Sequence, residues 1–224
     1  LECKAGGFTA VKLHPYCVAD DDLRMSRAVR KAVGDDFTLM IDTLVYPGPY
    51  SRRDALRAGR VLDELDFWWF EDPLPKTDLE GLAELTRSCQ VVKVRMADRV
   101  EDVREYDEMV RRRCMDIMAG PASFGITDLM KLAHMAEVNH MNMEPHDFGG
   151  GTASLHVLLA IDNADYYEVA VPVGCFDETI YPGVYPDAVK VDSEGYVNAP
   201  TKPGLGFEID FAEAARVTAE TIKV

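Results

Sequence analysis

Several features are missing from this sequence, and each absence excludes a class of protein. No run of about 18 uncharged apolar residues occurs, which argues against a membrane-spanning helix. The first seven residues, LECKAGG, lack the basic-then-apolar pattern of a secretory signal. The five cysteines include no CxxC pair and are odd in number, so we expect reduced thiols and a cytoplasmic location. The cysteines are Cys3, Cys17, Cys89, Cys114 and Cys175.

Basic residues are also scarce relative to acidic ones. The chain has 24 Lys and Arg against 39 Asp and Glu, for a net charge of -15. Such a charge repels phosphate backbones and anionic lipid headgroups. We therefore expect neither a nucleic-acid partner nor a membrane partner.

The 224 residues, 47% of them hydrophobic, are enough for one globular core. Continuous apolar runs alternate with amphipathic segments, a pattern typical of a parallel sheet covered by helices. The predicted strands are 8–14, 37–42, 67–71, 91–95, 115–118, 141–144 and 166–169. The predicted helices are 20–33, 51–65, 77–87, 100–113, 127–138, 152–161 and 211–221, with Ser51 and Thr127 as N-caps.

Three of these strands end in an ionisable side chain at regular intervals. Lys12, Asp42 and Glu71 are 30 and 29 residues apart, about one strand-plus-helix unit each. In a parallel barrel, successive strand ends point side chains into one mouth, where such barrels carry their active sites. A base and two carboxylates there predict a divalent-metal site with a proton-transfer residue beside it.

Seven strands are one fewer than a closed parallel barrel requires. We therefore expect that a first strand, and whatever comes before it, lies outside these 224 residues. Residues 1–210 are predicted to form the barrel domain, incomplete at its start, and residues 211–224 a C-terminal helix and tail.

Five short motifs, in order, resemble the enolase superfamily, and most closely its mandelate-racemase-like branch of acid-sugar dehydratases. They are residues 7–14 (GFTAVKLH), 40–42 (MID), 69–73 (WFEDP), 125–127 (GIT) and 144–146 (EPH). The resemblance implies a TIM-like (β/α)7β barrel, preceded by an α+β capping domain that we expect, like the first strand, to lie outside these 224 residues. It also implies Mg2+, which binds the substrate carboxylate and stabilises the enediolate formed when a base removes the α-proton.

The resemblance places metal ligands at Asp42 and Glu71. Two carboxylates sharing one mouth would repel each other without a cation, and hard oxygen ligands suit Mg2+. The third ligand is predicted at Asp98, in place of the Glu that the family usually has, with Glu101 as the alternative.

The same resemblance implies the proton-transfer and substrate-binding residues. Lys12 and His14 are two apart on one strand and face the same side, and either can be the base. His146 is predicted to be catalytic, although the Asp with which the family often pairs it is missing. Glu168 is predicted to contact the substrate.

These expectations add up to a Mg2+-dependent dehydratase that converts a sugar acid to a 2-keto-3-deoxy acid. The alternatives are a racemase, epimerase or cycloisomerase acting on a carboxylate, or a metal-binding relative that has lost catalysis. The expected partner is a small-molecule carboxylate substrate, and we expect a homo-oligomer.

Overall fold

Parallel strands in chain order form one sheet, and the helices between them cover it. The computed structural model describes residues 1–43, 50–97, 100, 102–146, 152–169 and 192–218. The strands within these ranges are β1 Ala10–Leu13, β2 Thr38–Asp42, β3 Phe67–Glu71, β4 Lys93–Met96, β5 Ile117–Met118 and β6 Asn142–Met143. Each pairs in parallel with the next along the chain. The predicted alternation of strands and helices is confirmed.

Apart from one short helix at the start of the chain, which was not predicted, the helices occupy the predicted intervals, with ends that shift by a few residues. They are α1 Glu2–Ala5, α2 Ala19–Val33, α3 Arg52–Glu64, α4 Leu79–Ser88, α5 Val103–Arg112, α6 Gly125–Val138, α7 Thr152–Leu158 and α8 Phe211–Val217. A 3-10 turn, Ala122–Phe124, precedes α6. None of the helices in the described ranges is long and apolar enough to cross a membrane.

The two predicted N-caps have different outcomes. The Ser51 side chain accepts a hydrogen bond from the Asp54 backbone N–H and caps α3, as predicted. The prediction for Thr127 is wrong, because α6 already begins at Gly125, directly after the 3-10 turn. Gly125 has a φ of 71°, which lets the chain change direction two residues before Thr127.

Side chains alternate between the two faces of the sheet, so the strands bury residues in two clusters. The larger cluster lies between the strands and the helices and includes Leu39, Ile41, Phe70 and their helical partners. The smaller one contains Met40, Trp69 and Ile117. The smaller cluster lies on the opposite face, which is the inner face of a barrel.

The predicted seventh strand, 166–169, is not a strand in the structure. Its neighbourhood still packs against the sheet, since the Met143 N–H donates to the Asn163 carbonyl. The backbone N–H groups of Asp165 and Tyr166, however, donate to the carboxylate of Glu144 instead of to a neighbouring strand. This side-chain acceptor replaces the ladder of backbone hydrogen bonds that a strand would need.

The segment after α7 returns to the strands at the start of the sheet. The Tyr166 ring meets the Trp68 and Trp69 rings edge-on, with centroids 6.3 and 6.2 Å apart. Its hydroxyl lies 3.3 Å from Thr38 Oγ1 on β2. This return brings the side chains that follow Tyr166 over the carboxyl ends of the first strands.

Candidate active site

The carboxyl ends of β2 and β3 place two buried carboxylates side by side. Asp42 and Glu71 are the last residues of their strands and occupy paired positions in the parallel register. The exposed fractions of their side chains are 1% and 0%. Burial of two neighbouring carboxylates requires positive charge close by, because each one otherwise raises the cost of ionising the other.

Lys12 supplies part of that charge. Its Nζ lies 2.7 Å from Glu168 Oε1, 3.1 Å from Glu71 Oε2 and 3.3 Å from Asp42 Oδ2. Burial acts to lower the pKa of Lys12, but Glu71, Glu168 and Asp42 together hold this pKa above its ordinary value. The structure thus brings three carboxylates, Asp42, Glu71 and Glu168, around the ammonium group of Lys12.

A second cation, Arg95 on β4, was missed by the sequence reasoning. It is 1% exposed and pairs in register with Glu71. Its Nη1 forms an ion pair with Glu71 Oε1, its Nη2 donates to the Glu144 carbonyl at 3.0 Å, and its guanidinium lies 4.7 Å from the Trp69 ring centroid. The signal in the sequence was a charged residue inside the strand Lys93–Met96.

These cations determine the protonation state of Glu71. Burial alone would raise the pKa of Glu71, but the adjacent Arg95 and Lys12 lower this pKa well below its ordinary value. The Trp69 indole N–H also donates to Glu71 Oε2, at 3.1 Å. Glu71 is therefore an ionised carboxylate at neutral pH.

Asp72 joins the two predicted ligands and was not predicted as one. Oxygen atoms of Asp42, Glu71 and Asp72 lie within 4.8 Å of one another, and all three residues are buried. Asp72 has a φ of 44°, and its Oδ1 accepts a hydrogen bond from the Ala97 N–H. Three clustered carboxylates offer the hard oxygen ligands that Mg2+ prefers, so the residues present fit a divalent cation.

The predicted third ligand, Asp98, and its alternative, Glu101, both lie outside the described residues. Asp98 follows β4 by two positions, directly after the buried Ala97. The cluster of Asp42, Glu71 and Asp72 therefore contains the candidate metal ligands among the described residues only.

The two histidines lie in different surroundings. The His14 side chain is 48% exposed, and its Nε2 is 3.8 Å from Asp42 Oδ2. His146 is 4% exposed, its backbone N–H donates to the Gly120 carbonyl, and it forms an isolated parallel bridge with Pro121. His14 is thus at an open rim, and His146 is fixed at the end of the β5 and β6 side of the sheet.

Glu144 holds the segment that follows α7, residues 159–169, and its pKa is raised. Burial raises the pKa of Glu144 to about 7, although the backbone N–H groups of Asp165 and Tyr166 and the nearby Arg95 act in the opposite direction. Its Oε1 and Oε2 accept those two N–H groups at 2.9 and 3.1 Å. The position of Glu168, three residues after Asp165, depends on this attachment.

Comparison with known proteins agrees with this geometry. The family model described as enolase C-terminal domain-like matches residues 2–214. Arabinonate dehydratase from Saccharolobus solfataricus is 28% identical over 209 residues, which cover 91% of this chain and 53% of the relative. The 3,6-anhydro-alpha-L-galactonate cycloisomerase from Streptomyces coelicolor is 29% identical over 218 residues, covering 95% of this chain and 56% of that protein.

A solved structure gives the same result in three dimensions. D-glucarate dehydratase from Agrobacterium tumefaciens, solved in complex with magnesium, superposes with a TM-score of 0.81 at 30% identity. The match covers 94% of this chain and 56% of that one. The chain spans about half the length of the curated relatives it matches. With the parallel sheet, the alternating helices and the family match over residues 2–214, the chain belongs to the enolase C-terminal domain-like family, as an α/β barrel domain of the enolase superfamily.

Proposed function

We propose that the protein is a Mg2+-dependent dehydratase of a sugar acid that yields a 2-keto-3-deoxy acid. The observation that carries this proposal is the buried carboxylate cluster of Asp42, Glu71 and Asp72 with Lys12 against it. The relatives named as dehydratases of arabinonate, L-talarate/galactarate and D-xylonate support the substrate class.

The α-proton of a carboxylate is weakly acidic because its removal places a second negative charge on the same group. Mg2+, when bound, neutralises that charge. Asp42, Glu71 and Asp72 would hold the ion, and the Lys12 ammonium would attract the substrate carboxylate. Lys12 contacts Glu168, Asp42 and Glu71, so a substrate carboxylate that binds Lys12 would lie beside all three side chains.

Proton transfer is assigned to the histidines. His14, at the open rim, removes the α-proton, and His146 donates a proton to the departing β-hydroxyl, which leaves as water. The enol that remains tautomerises to the 2-keto-3-deoxy acid: its β-carbon takes up a proton and its α-hydroxyl releases one. Each proton removed from carbon or added to oxygen thus has a named side chain beside the cluster.

A cycloisomerase is the second candidate. The relatives named 3,6-anhydro-alpha-L-galactonate cycloisomerase and D-galactarolactone cycloisomerase favour it at an identity similar to that of the dehydratases. Both reactions begin with the same α-proton removal, so the buried cluster serves either. They differ in the product: dehydration releases water and leaves a 2-keto acid.

The proposal is tested by incubating the protein with a library of sugar acids and Mg2+ and measuring 2-keto acid formation. We expect turnover on at least one aldonate or aldarate. Asp42→Asn is the test variant, because it keeps the shape of the side chain and removes the charge. Its turnover should fall by about 10^3-fold or more.

Three other outcomes would contradict parts of this proposal. Near-normal activity of Asp42→Asn at limiting Mg2+ would show that the metal assignment is wrong. Turnover without 2-keto acid would favour the cycloisomerase. No turnover on any member, with Mg2+ still bound, would favour a non-catalytic metal-binding relative.

A further inference from the structure

Arg95 is a buried guanidinium whose main ionic partner belongs to the carboxylate cluster. Its side chain is 1% exposed, and its Nη1 pairs with Glu71 Oε1. Glu71 Oε2 is already contacted by Lys12 Nζ and by the Trp69 N–H, at 3.1 Å each. Both oxygens of Glu71 thus face protein donors, and a metal ion that binds at Oε1 meets Arg95 there.

A second buried arginine shows that a guanidinium in this fold can be satisfied without a carboxylate. Arg30 on α2 is 7% exposed and donates to the backbone carbonyls of four residues. Arg95 donates to one backbone carbonyl, that of Glu144. It also lies against the carboxylates of Glu71 and Glu168 and over the face of Trp69.

Arg95 has a second anionic neighbour to which it can move. Its Nη2 lies 3.8 Å from Glu168 Oε2, beyond hydrogen-bond distance but within ion-pair distance. Glu168 also contacts Lys12 at 2.7 Å. A small rotation of the guanidinium away from Glu71 would therefore exchange one carboxylate partner for another without leaving a buried charge unpaired.

We propose that Arg95 is a positioning residue that competes with the divalent cation for Glu71. Without metal, Arg95 neutralises Glu71 and keeps the carboxylate cluster together. When the cation binds, Arg95 transfers from Glu71 to Glu168 while it keeps the Glu144 carbonyl. Arg95 thereby lowers the affinity for metal and couples metal binding to the side chain predicted to contact the substrate. This inference rests on the metal site of the proposed function.

The competition is tested by calorimetric titration of Mn2+ and Mg2+ into the wild-type protein, Arg95→Met, Arg95→Lys and Arg30→Met. Removal of one positive charge beside the metal should tighten binding by Arg95→Met by at least about tenfold. Arg95→Lys keeps the charge and should stay within about threefold of the wild type. Arg30→Met removes another buried guanidinium, one away from the cluster, and should leave the affinity unchanged.

Unchanged or weaker metal binding by Arg95→Met would overturn the inference, since Arg95 would then support Glu71 as a ligand. Should Arg95→Met fail to fold, a crystal structure of the wild-type protein with Mn2+ decides the question. We expect the guanidinium to lie on Glu168 and beyond hydrogen-bond distance from Glu71. A guanidinium still paired with Glu71 beside a bound metal would overturn it.

The same titrations separate this inference from the proposed function. If the wild-type protein binds Mn2+, Asp42→Asn weakens that binding and Arg95→Met leaves it unchanged, only the role of Arg95 is wrong. If neither the wild-type protein nor Arg95→Met binds a divalent cation, the metal site itself is wrong and both proposals fail.

Discussion

At the scale of single residues, the two histidines are distinguished by what surrounds them. His14 is half exposed beside Asp42, whereas His146 is almost fully buried between the ends of β5 and β6. No carboxylate stands where the family often places the partner of His146, because residues 117–124 read IMAGPASF. His146 is instead buried where its charge helps to lower the pKa of Glu71, and this fixed position beside the cluster suits one proton donation to the leaving hydroxyl.

This difference predicts separable variants. His146→Asn should lower dehydration by about 10^2- to 10^4-fold yet still exchange the substrate α-hydrogen with deuterium from solvent, whereas His14→Ala should lose both. Proton NMR of the recovered substrate in D2O measures the exchange. Exchange lost in His146→Asn but kept in His14→Ala would reverse the roles. Exchange kept in His14→Ala but lost in Lys12→Met would make Lys12 the base.

Glu144 gives a prediction about pH. Burial raises its pKa from 4.5 to about 7 in the folded protein. Between these values the unfolded chain has released the proton and the folded chain has not, so Glu144 lowers the stability as pH rises through this window. Above about pH 7 both states are ionised and the loss is complete.

Glu144→Gln removes this titration. The free energy of unfolding of the variant, relative to that of the wild type, should increase from pH 4.5 to pH 7 by about 1–3 kcal/mol and then remain constant. Urea unfolding at a series of pH values measures the difference. A difference that is independent of pH, or that decreases over this window, would show that Glu144 is not protonated in the folded protein.

At the scale of elements, Arg30 connects α2 to the turns that precede β2 and β3. Its Nε donates to the Leu65 carbonyl, its Nη1 to the Gly34 and Phe37 carbonyls, and its Nη2 to the Asp66 carbonyl, at 2.7–2.9 Å. One side chain therefore satisfies carbonyl groups from two turns that enter neighbouring strands. Buried carbonyls without a donor are costly.

Arg30→Met should lower the free energy of unfolding by about 2–4 kcal/mol, because four carbonyl groups lose their charged donor. Arg27→Met is the control on the same helix, since the Arg27 side chain is 51% exposed and its ion pair with Glu64 is 3.7 Å long. It should change stability by no more than about 0.5 kcal/mol. Equal urea midpoints for the two variants would contradict this role for Arg30.

At the scale of the whole molecule, the sequence was sufficient for the order of the elements and for the convergence of Lys12, Asp42 and Glu71. Both follow from a regular period, because equal strand-plus-helix units place successive strand ends at one edge of the sheet. Asp72 did not follow, since alternation along a strand would point it away from Glu71. The chain leaves the strand at Asp72 with a φ of 44°, which returns its carboxylate to the cluster.

Arg95 and the returning segment depend on contacts that have no sequence period. A charge inside a strand can be placed in the core only when its partner is known, and Glu71 comes from another strand. Residues 166–169 have the apolar composition of a strand. The backbone N–H groups of Tyr166 and of the preceding Asp165 instead donate to a distant side chain, Glu144. This competition between side-chain and backbone acceptors cannot be read from local composition.

The position of Trp69 has an optical consequence. Its indole N–H donates to Glu71 Oε2, and the Arg95 guanidinium lies over its ring, so the chromophore is in contact with both members of the buried ion pair. An indole's emission responds to the charges around its ring. A cation that binds the carboxylate cluster should therefore shift the emission wavelength of Trp69. The molecule thus contains an intrinsic fluorescent reporter of changes at Glu71 that requires no added dye.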